Sequence, residues 1–105
     1  MSTFDEMVES LPQLAYPHRD KLRGSDGLFL IQTTEGRRVF LRLEDGLLTV
    51  SGGEEAAPDC VLAAREGLLA DIMAQRVNPV TALMLGRVKV SGSKTLLMKL
   101  IGALK

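Results

Sequence analysis

The chain has 105 residues, enough for one domain with a single hydrophobic core, which we expect to span residues 1–105. Lys and Arg total 13, as do Asp and Glu, so the basic excess typical of a nucleic-acid binder is missing. The single cysteine excludes an internal disulfide and favours a reducing compartment. Because no signal peptide, membrane span or peroxisomal address is recognisable, we predict a cytoplasmic protein.

The first quarter of the chain predicts one short helix and a polar connector. Thr3-Phe4-Asp5-Glu6 has the pattern of a capping box, and apolar residues follow at helical spacing as far as Leu11. Pro12 is expected to end or kink this helix because it lacks the N–H that the next turn needs. Residues 12–26 then predict a polar connector.

The middle of the chain predicts a four-strand meander. Strands are expected over residues 28–33, 38–44, 47–50 and 60–63, the second with a clear alternation of apolar and polar residues. Asp45-Gly46 indicates a tight hairpin, since both central residues of a type I′ turn need positive φ.

The last third of the chain predicts helices around one more strand. Helices are expected over 68–77, 78–85 and 93–104, with Asn78 and Ser93 as caps and Gly86 as a stop. Alternating valines predict the strand over 87–91. Because strands and helices are segregated, the pattern predicts an α+β fold with helices packed on one face of the sheet.

No residue pattern indicates catalysis or a metal site. Gly92-Ser93-Lys94-Thr95 follows a predicted strand, but it lacks the glycine that a phosphate-binding loop places directly before its lysine. This helix start is either a plain cap or a place for an anionic headgroup. His18 lacks companion ligands and predicts a solvated loop residue. Cys60 predicts a buried structural thiol.

The segment from Asn78 to Gly92 resembles the C-terminal motif of the sterol carrier protein type 2 family. Asn78-Pro79, Met84-Leu85-Gly86 and Val88-Lys89-Val90-Ser91-Gly92 carry the resemblance, which extends over residues 26–105. It implies a five-stranded, mostly antiparallel sheet with helices on one face and an apolar tunnel between the two layers. Members of this family bind sterols, fatty acids, acyl-CoA or phospholipids without altering them. The resemblance therefore implies lipid binding and transfer, without catalytic residues, metal or cofactor.

The predicted lipid-binding residues lie on the strand and helices that would face this tunnel. Methionines among them are either core filler or a flexible wall for an apolar ligand, and the resemblance favours the wall. The final helix, with Lys94, Lys99 and Lys105, is a candidate lid that makes transient membrane contact, or else a core-packed terminal helix. The predicted residues are Leu41, Leu68, Leu69, Ile72, Met73, Val77, Leu83, Met84, Leu85, Leu97, Leu100, Ile101 and Leu104.

Two further expectations concern the size of the tunnel. Pro12 and the connector interrupt the region where the family has a longer helix, so we expect a smaller, differently lined or more open tunnel. A dry cavity of about 300 Å³ would cost about 7 kcal/mol, so the empty protein is expected to be partly collapsed or to retain lipid. The alternative function is a protein-interaction domain with a collapsed or absent tunnel and an exposed apolar patch, as a homodimer.

Overall fold

The computed structural model describes residues 3–51 and 57–103, excepting the side chains of Thr3, Ile101 and Ala103. It has the predicted α+β fold, in which helices pack on one face of a five-stranded sheet. The strands are β1 (Gly27–Thr33), β2 (Arg38–Glu44), β3 (Leu47–Ser51), β4 (Cys60–Ala64) and β5 (Lys89–Gly92). The helices are α1 (Thr3–Ala15), α2 (Arg19–Leu22), α3 (Glu66–Met73), α4 (Pro79–Met84) and α5 (Lys94–Ala103).

The sheet has the order β3-β2-β1-β4-β5, so the predicted four-strand meander is wrong for its last strand. β4 pairs in parallel with β1, whereas the other neighbouring strands pair in antiparallel fashion. The physical reason lies in β1, where residues 28–31 are all buried. A strand with apolar residues on both faces is typical of a sheet centre, where a neighbour is needed on each side.

The first helix continues through Pro12, so of the two expected effects of this proline, an end or a kink, the end is wrong. α1 runs on to Ala15, with Pro12 inside the helix. Leu11 and Ala15 are 4% and 0% exposed, and their burial offsets the backbone hydrogen bond that the proline ring removes.

The predicted polar connector is also helical over much of its length. A 3₁₀ turn over Tyr16–His18 leads into α2, whose Leu22 is fully buried. His18, predicted to be a solvated loop residue, lies at the end of this turn and is half-buried. The sequence reading missed a short amphipathic anchor, because a single leucine among charged residues carries no detectable periodicity.

The tight hairpin predicted at Asp45-Gly46 is confirmed between β2 and β3. Asp45 has φ of 51° and Gly46 has φ of 81°, as both central positions of this turn require. Gly46 also has no room for a side chain, since a Cβ there would collide with the carbonyl oxygen of Arg19. The turn therefore serves both the hairpin and its packing against α2.

The predicted start and end of α4 are confirmed. Asn78 Oδ1 accepts hydrogen bonds from the N–H groups of Val80 and Thr81, at 2.8 and 3.3 Å. Gly86 has φ of 75°, which reverses the chain toward β5. The helix before it is shorter than predicted: α3 ends at Met73, and Gln75 adopts a positive φ of 62°.

The sheet buries apolar side chains on both faces. The inner face, which carries Phe29, Ile31, Leu41 and Leu43, packs with the helices into the main core. The outer face carries Leu28, Leu30, Phe40 and the half-buried Val61 as a second, smaller cluster. Successive residues of one strand therefore belong to different environments.

Candidate functional site

An apolar cavity of about 570 Å³ lies between the inner face of the sheet and the helices. Its volume falls within the range of roughly 300–1,000 Å³ that is typical of small-molecule sites. Among its described lining residues, Gln75 and Asn78 are the only ones with polar side chains. The sheet side is formed by Ile31, Leu41, Leu62, Val88 and Val90; the helical side by Met7, Leu11, Leu69, Ile72, Met73, Val77, Pro79, Val80, Leu83, Leu97, Met98 and Leu100.

Strand alternation builds the floor of this cavity. Ile31 in β1 pairs with Val39 on one side and with Leu62 of β4 on the other, and Leu62 pairs with Val90 of β5. Paired residues of neighbouring strands point to the same face, so Ile31, Leu62 and Val90 form one continuous apolar row. This row ends at β5, the edge strand beside the helical wall.

The roof is built by helices and the turns between them. The segment after α3 turns sharply at Gln75 and brings Val77 against the core, and the capped start of α4 follows directly. α5 contributes Leu97 and Leu100, which are 3% and 6% exposed. Met98 of the same helix is 42% exposed, so it lies where the cavity meets solvent.

One hydrogen-bonded junction sets the position of α5 over the sheet. Asp59 Oδ2 accepts the N–H of Leu28 at 2.9 Å, and the Asp59 carbonyl accepts the N–H of Ser93 at 2.9 Å. Ser93 in turn caps α5, accepting the N–H of Leu96 at 3.2 Å. Gly92 allows this close approach, because its φ is 85° and a Cβ would collide with the Asp59 carbonyl oxygen.

Eight of the predicted site residues line the cavity. They come from β2, α3, the segment after it, α4 and α5: Leu41, Leu69, Ile72, Met73, Val77, Leu83, Leu97 and Leu100. Whether they contact a lipid stays a prediction. Ile101 and Leu104 lie outside the described side chains.

Three other predicted residues lie elsewhere. Leu68 is 6% exposed and packs in the core beside the cavity, not on its wall. Met84 and Leu85 are 81% and 68% exposed, because they end α4 on the side that faces away from the sheet. Of the run Leu83-Met84-Leu85 in the family motif, only Leu83 lines the cavity.

The sequence reading missed the first helix and most of the sheet side. Met7 and Leu11 of α1 line the cavity, although the resemblance begins after this helix. Ile31, Leu62, Val88 and Val90 could have been found from strand alternation, once Leu41 had been assigned to the same face. Met7 and Leu11 belong to the apolar stripe of α1, so helical spacing marked them as inward-facing without showing that this helix borders the cavity.

The described residues outside the cavity provide no competing chemical centre. Cys60 is fully buried, as predicted, and burial, followed by the negative charge of Asp59, raises the pKa of its thiol. A raised pKa disfavours the reactive thiolate. In the part of the chain that the structure describes, no group of three or more His, Cys, Asp or Glu could hold a metal ion. None of the described helices is long and apolar enough to cross a bilayer.

Fold and cavity place the chain among small α+β domains that enclose an apolar space between one sheet and its helices. The chain belongs to the SCP-2 sterol transfer family, whose model matches residues 8–105. This match confirms the family resemblance and begins well before residue 26, so it includes most of α1. No curated protein matches the chain.

Several solved structures share this architecture. The stereoselective inverting sec-alkylsulfatase Pisa1 from Pseudomonas sp. is 26% identical with a TM-score of 0.73, over 83% of this chain but only 14% of that enzyme's length. The UbiJ-SCP2 ubiquinone synthesis protein is 14% identical with a TM-score of 0.74, over 96% of this chain and 91% of that one. Palmitated SCP2L2 from Aedes aegypti is 21% identical with a TM-score of 0.70, over 94% and 92%.

Proposed function

We propose that this protein binds an apolar lipid chain in the cavity and carries it without altering it. The observation that carries the proposal is a wall of aliphatic side chains around about 570 Å³, with no acidic or basic side chain among its described residues. Gln75 and Asn78 can orient a ligand but supply neither a nucleophile nor an acid–base pair. Membership of the SCP-2 sterol transfer family supports the same function.

The size of the cavity makes occupancy energetically important. At about 24 cal/mol per Å³, an enclosed dry void of 570 Å³ would cost about 14 kcal/mol, but this cavity meets solvent at Met98, so water enters it and the cost of leaving it without lipid is smaller. An apolar chain that displaces this water gains about 0.8 kcal/mol for each methylene that it buries. Saturated fatty acids are the simplest ligands of this kind, and a palmitated relative with the same fold supports them as probes.

Thermal unfolding with fatty acids of increasing length tests the proposal. Octanoate, laurate and palmitate should raise Tm in that order, with about 2.7 kcal/mol of stabilisation when palmitate is at 100 times its Kd. Native mass spectrometry of the purified protein should show either bound lipid or uptake of palmitate. The proposal fails if none of the three raises Tm and only the bare chain is detected after palmitate is added.

Transfer also requires contact with a lipid surface, for which Met84 and Leu85 are the candidates. They are the most exposed of the large apolar side chains described, and Leu83 beside them lines the cavity. Met98 on α5 marks the cavity edge, so opening of this helix is the proposed route for the lipid. Met84→Ser with Leu85→Ser should slow palmitate transfer between vesicles and leave the palmitate Kd unchanged. Slower transfer together with a weaker palmitate Kd, or no change in the transfer rate, contradicts the assignment.

The same exposed pair favours a second candidate, an interaction domain that dimerises through Met84 and Leu85. Light scattering separates the two candidates. A concentration-dependent dimer that Met84→Ser with Leu85→Ser dissociates, in a protein that ignores palmitate, would support the interaction domain. A monomer that binds palmitate supports lipid carriage. In either case the buried, unpaired thiol of Cys60 suits the reducing cytoplasm, where we place the protein.

A further inference from the structure

A second concavity, of about 400 Å³, lies behind the strands that floor the apolar cavity. Ile31 and Leu62 line the cavity, whereas Gln32 and Ala63, the next residues in β1 and β4, line this second space. Gln32 and Ala63 face outward, and Thr33 and Ala64, which share the inner face with Ile31 and Leu62, complete this space at the end of the two strands. The two sites have no lining residue in common, so each can be tested by its own substitutions.

The second concavity is strongly basic, and we call it the basic depression. Five cations line it, namely Arg37, Arg38, Arg65, Arg87 and Lys89, and no acidic side chain is among its described lining residues. The whole chain has 13 cations and no net charge, so general basicity does not explain the cluster. A concave surface lined by one sign of charge concentrates counter-ions of the other sign.

Three of the five cations have no protein partner among the described residues. Arg37 forms an ion pair with Asp5, and Arg38 lies over the ring of Phe40 at 5.9 Å. Arg65, Arg87 and Lys89 are exposed and make no ion pair or side-chain hydrogen bond within the described ranges. They come from the start of α3, from the turn after α4 and from β5, so three separate elements bring them together.

Two carboxylates, those of Glu35 and Glu66, lie near the depression and keep their negative charge, which offsets part of its positive charge. Glu35 Oε1 accepts the N–H of Glu66 at 3.1 Å, and Glu66 Oε2 accepts the hydroxyl of Thr33 at 3.1 Å. Protection of an edge strand explains a single lysine in β5. It does not explain why Arg65 and Arg87 converge on the same depression from outside that strand.

We infer that the basic depression binds a phosphate group through Arg65, Arg87 and Lys89. The planar guanidinium groups of the two arginines match phosphate oxygens in bidentate fashion, and the lysine adds a point charge. Such a group is carried either by a free phosphate or phosphate ester, or by the headgroup of an anionic phospholipid. The two sources share the same recognition chemistry and differ in how the phosphate is presented.

Titration with inorganic phosphate tests the first source. Amide NMR shifts and Tm are followed while chloride keeps the ionic strength constant, because general screening must not be mistaken for binding. Saturable shifts at Arg65, Arg87 and Lys89 with a rise in Tm assign a free phosphate. Arg87→Gln should weaken this binding about tenfold, the loss expected for one charge-assisted contact. Lys21→Gln, which removes an equivalent exposed charge from α2, is the matched control and should change nothing.

Vesicles of equimolar phosphatidylglycerol and phosphatidylcholine test the second source, with pure phosphatidylcholine as reference. Binding to the anionic vesicles alone, without a response to inorganic phosphate, assigns a headgroup. That binding must be lost in Arg65→Gln with Arg87→Gln and kept in Lys21→Gln, with circular dichroism confirming that both variants fold. The inference is overturned if neither probe binds, or if the double variant and Lys21→Gln behave alike.

Discussion

The inner and outer faces of β1, β4 and β5 are built from alternate residues of the same strands, and they differ most at the end of the sheet that carries Gln32, Ala63 and Lys89. Inward, Ile31, Leu62 and Val90 form an apolar floor. Outward at the same end of the sheet, Lys89 joins the arginines of the basic depression. Strand alternation places Lys89 behind the apolar floor, whereas Arg37, Arg65 and Arg87 reach the depression from the connections between strands and helices.

The two faces also differ in how they are enclosed. Helices cover the inner face, so the apolar space there lies between two layers of secondary structure, the sheet and the helices. The outer cluster of Leu28, Leu30 and Phe40 is small, with the guanidinium of Arg38 over the ring of Phe40. Substitutions on the inner face should therefore have the larger effect on the free energy of unfolding and on the binding of apolar ligands. Substitutions on the outer face should mainly change the binding of anions.

The largest effect is expected from truncating the most deeply buried aromatic side chain of the sheet. Phe29 on the inner face is 0% exposed, and Phe29→Ala should lower the free energy of unfolding by about 4 kcal/mol. Phe40→Ala on the outer face, where the ring is 5% exposed, should cost less because its cluster is smaller. Urea unfolding of both variants measures the difference. An equal or larger loss for Phe40→Ala would show that the outer face is the main core.

A second prediction compares the same substitution at two neighbouring residues of β5. Val90 lines the cavity and Ser91 is exposed on the opposite face, so the same substitution at both positions separates volume from local disturbance. Val90→Phe should fill part of the cavity and weaken palmitate binding at least several-fold, by removing room for methylenes. Ser91→Phe should leave it unchanged. Equal palmitate Kd values in the two variants, measured by calorimetry, would mean that palmitate does not bind in the cavity.

The smallest effect concerns the thiol on the inner face. Burial first, and Asp59 second, raise the pKa of Cys60, so the unfolded chain ionises this thiol before the folded chain does. Its contribution to stability is complete below the unfolded pKa of about 8.5 and is lost as pH rises toward the folded pKa. Cys60→Ala should therefore show a shallower alkaline decline in the free energy of unfolding. An unchanged slope would mean that the thiol is not shielded from solvent.

Much of the fold followed from local signals in the sequence. The hairpin at Asp45-Gly46, the Asn78 cap and the Gly86 stop each depend on backbone requirements that few residues satisfy, and all three are confirmed. The parallel pairing of β4 could not be read in this way, because it joins residues far apart in the chain. Pro12 does not end α1, because the burial of Leu11 and Ala15 outweighs the local cost of a proline inside a helix.

The cavity was predictable in part, for a different physical reason. Helical periodicity located the stripe of α5 and the apolar residues of α3, but α4 has only six residues, too few to fix which side faces inward. Met84 and Leu85 were therefore assigned to the cavity together with Leu83, although only Leu83 lines it. The basic depression gave no sequence signal, since its cations are spread from Arg37 to Lys89.

A bound apolar ligand is expected to contact the inner face of the sheet and not the outer face. Isotope-filtered NOEs between unlabelled palmitate and methyl-labelled protein measure this contact directly. We predict NOEs from the fatty acid chain to the methyl groups of Ile31, Leu62 and Val90, and none to those of Leu30 and Val61. NOEs confined to Leu30 and Val61, or the absence of any NOE at saturating palmitate, would contradict the claim.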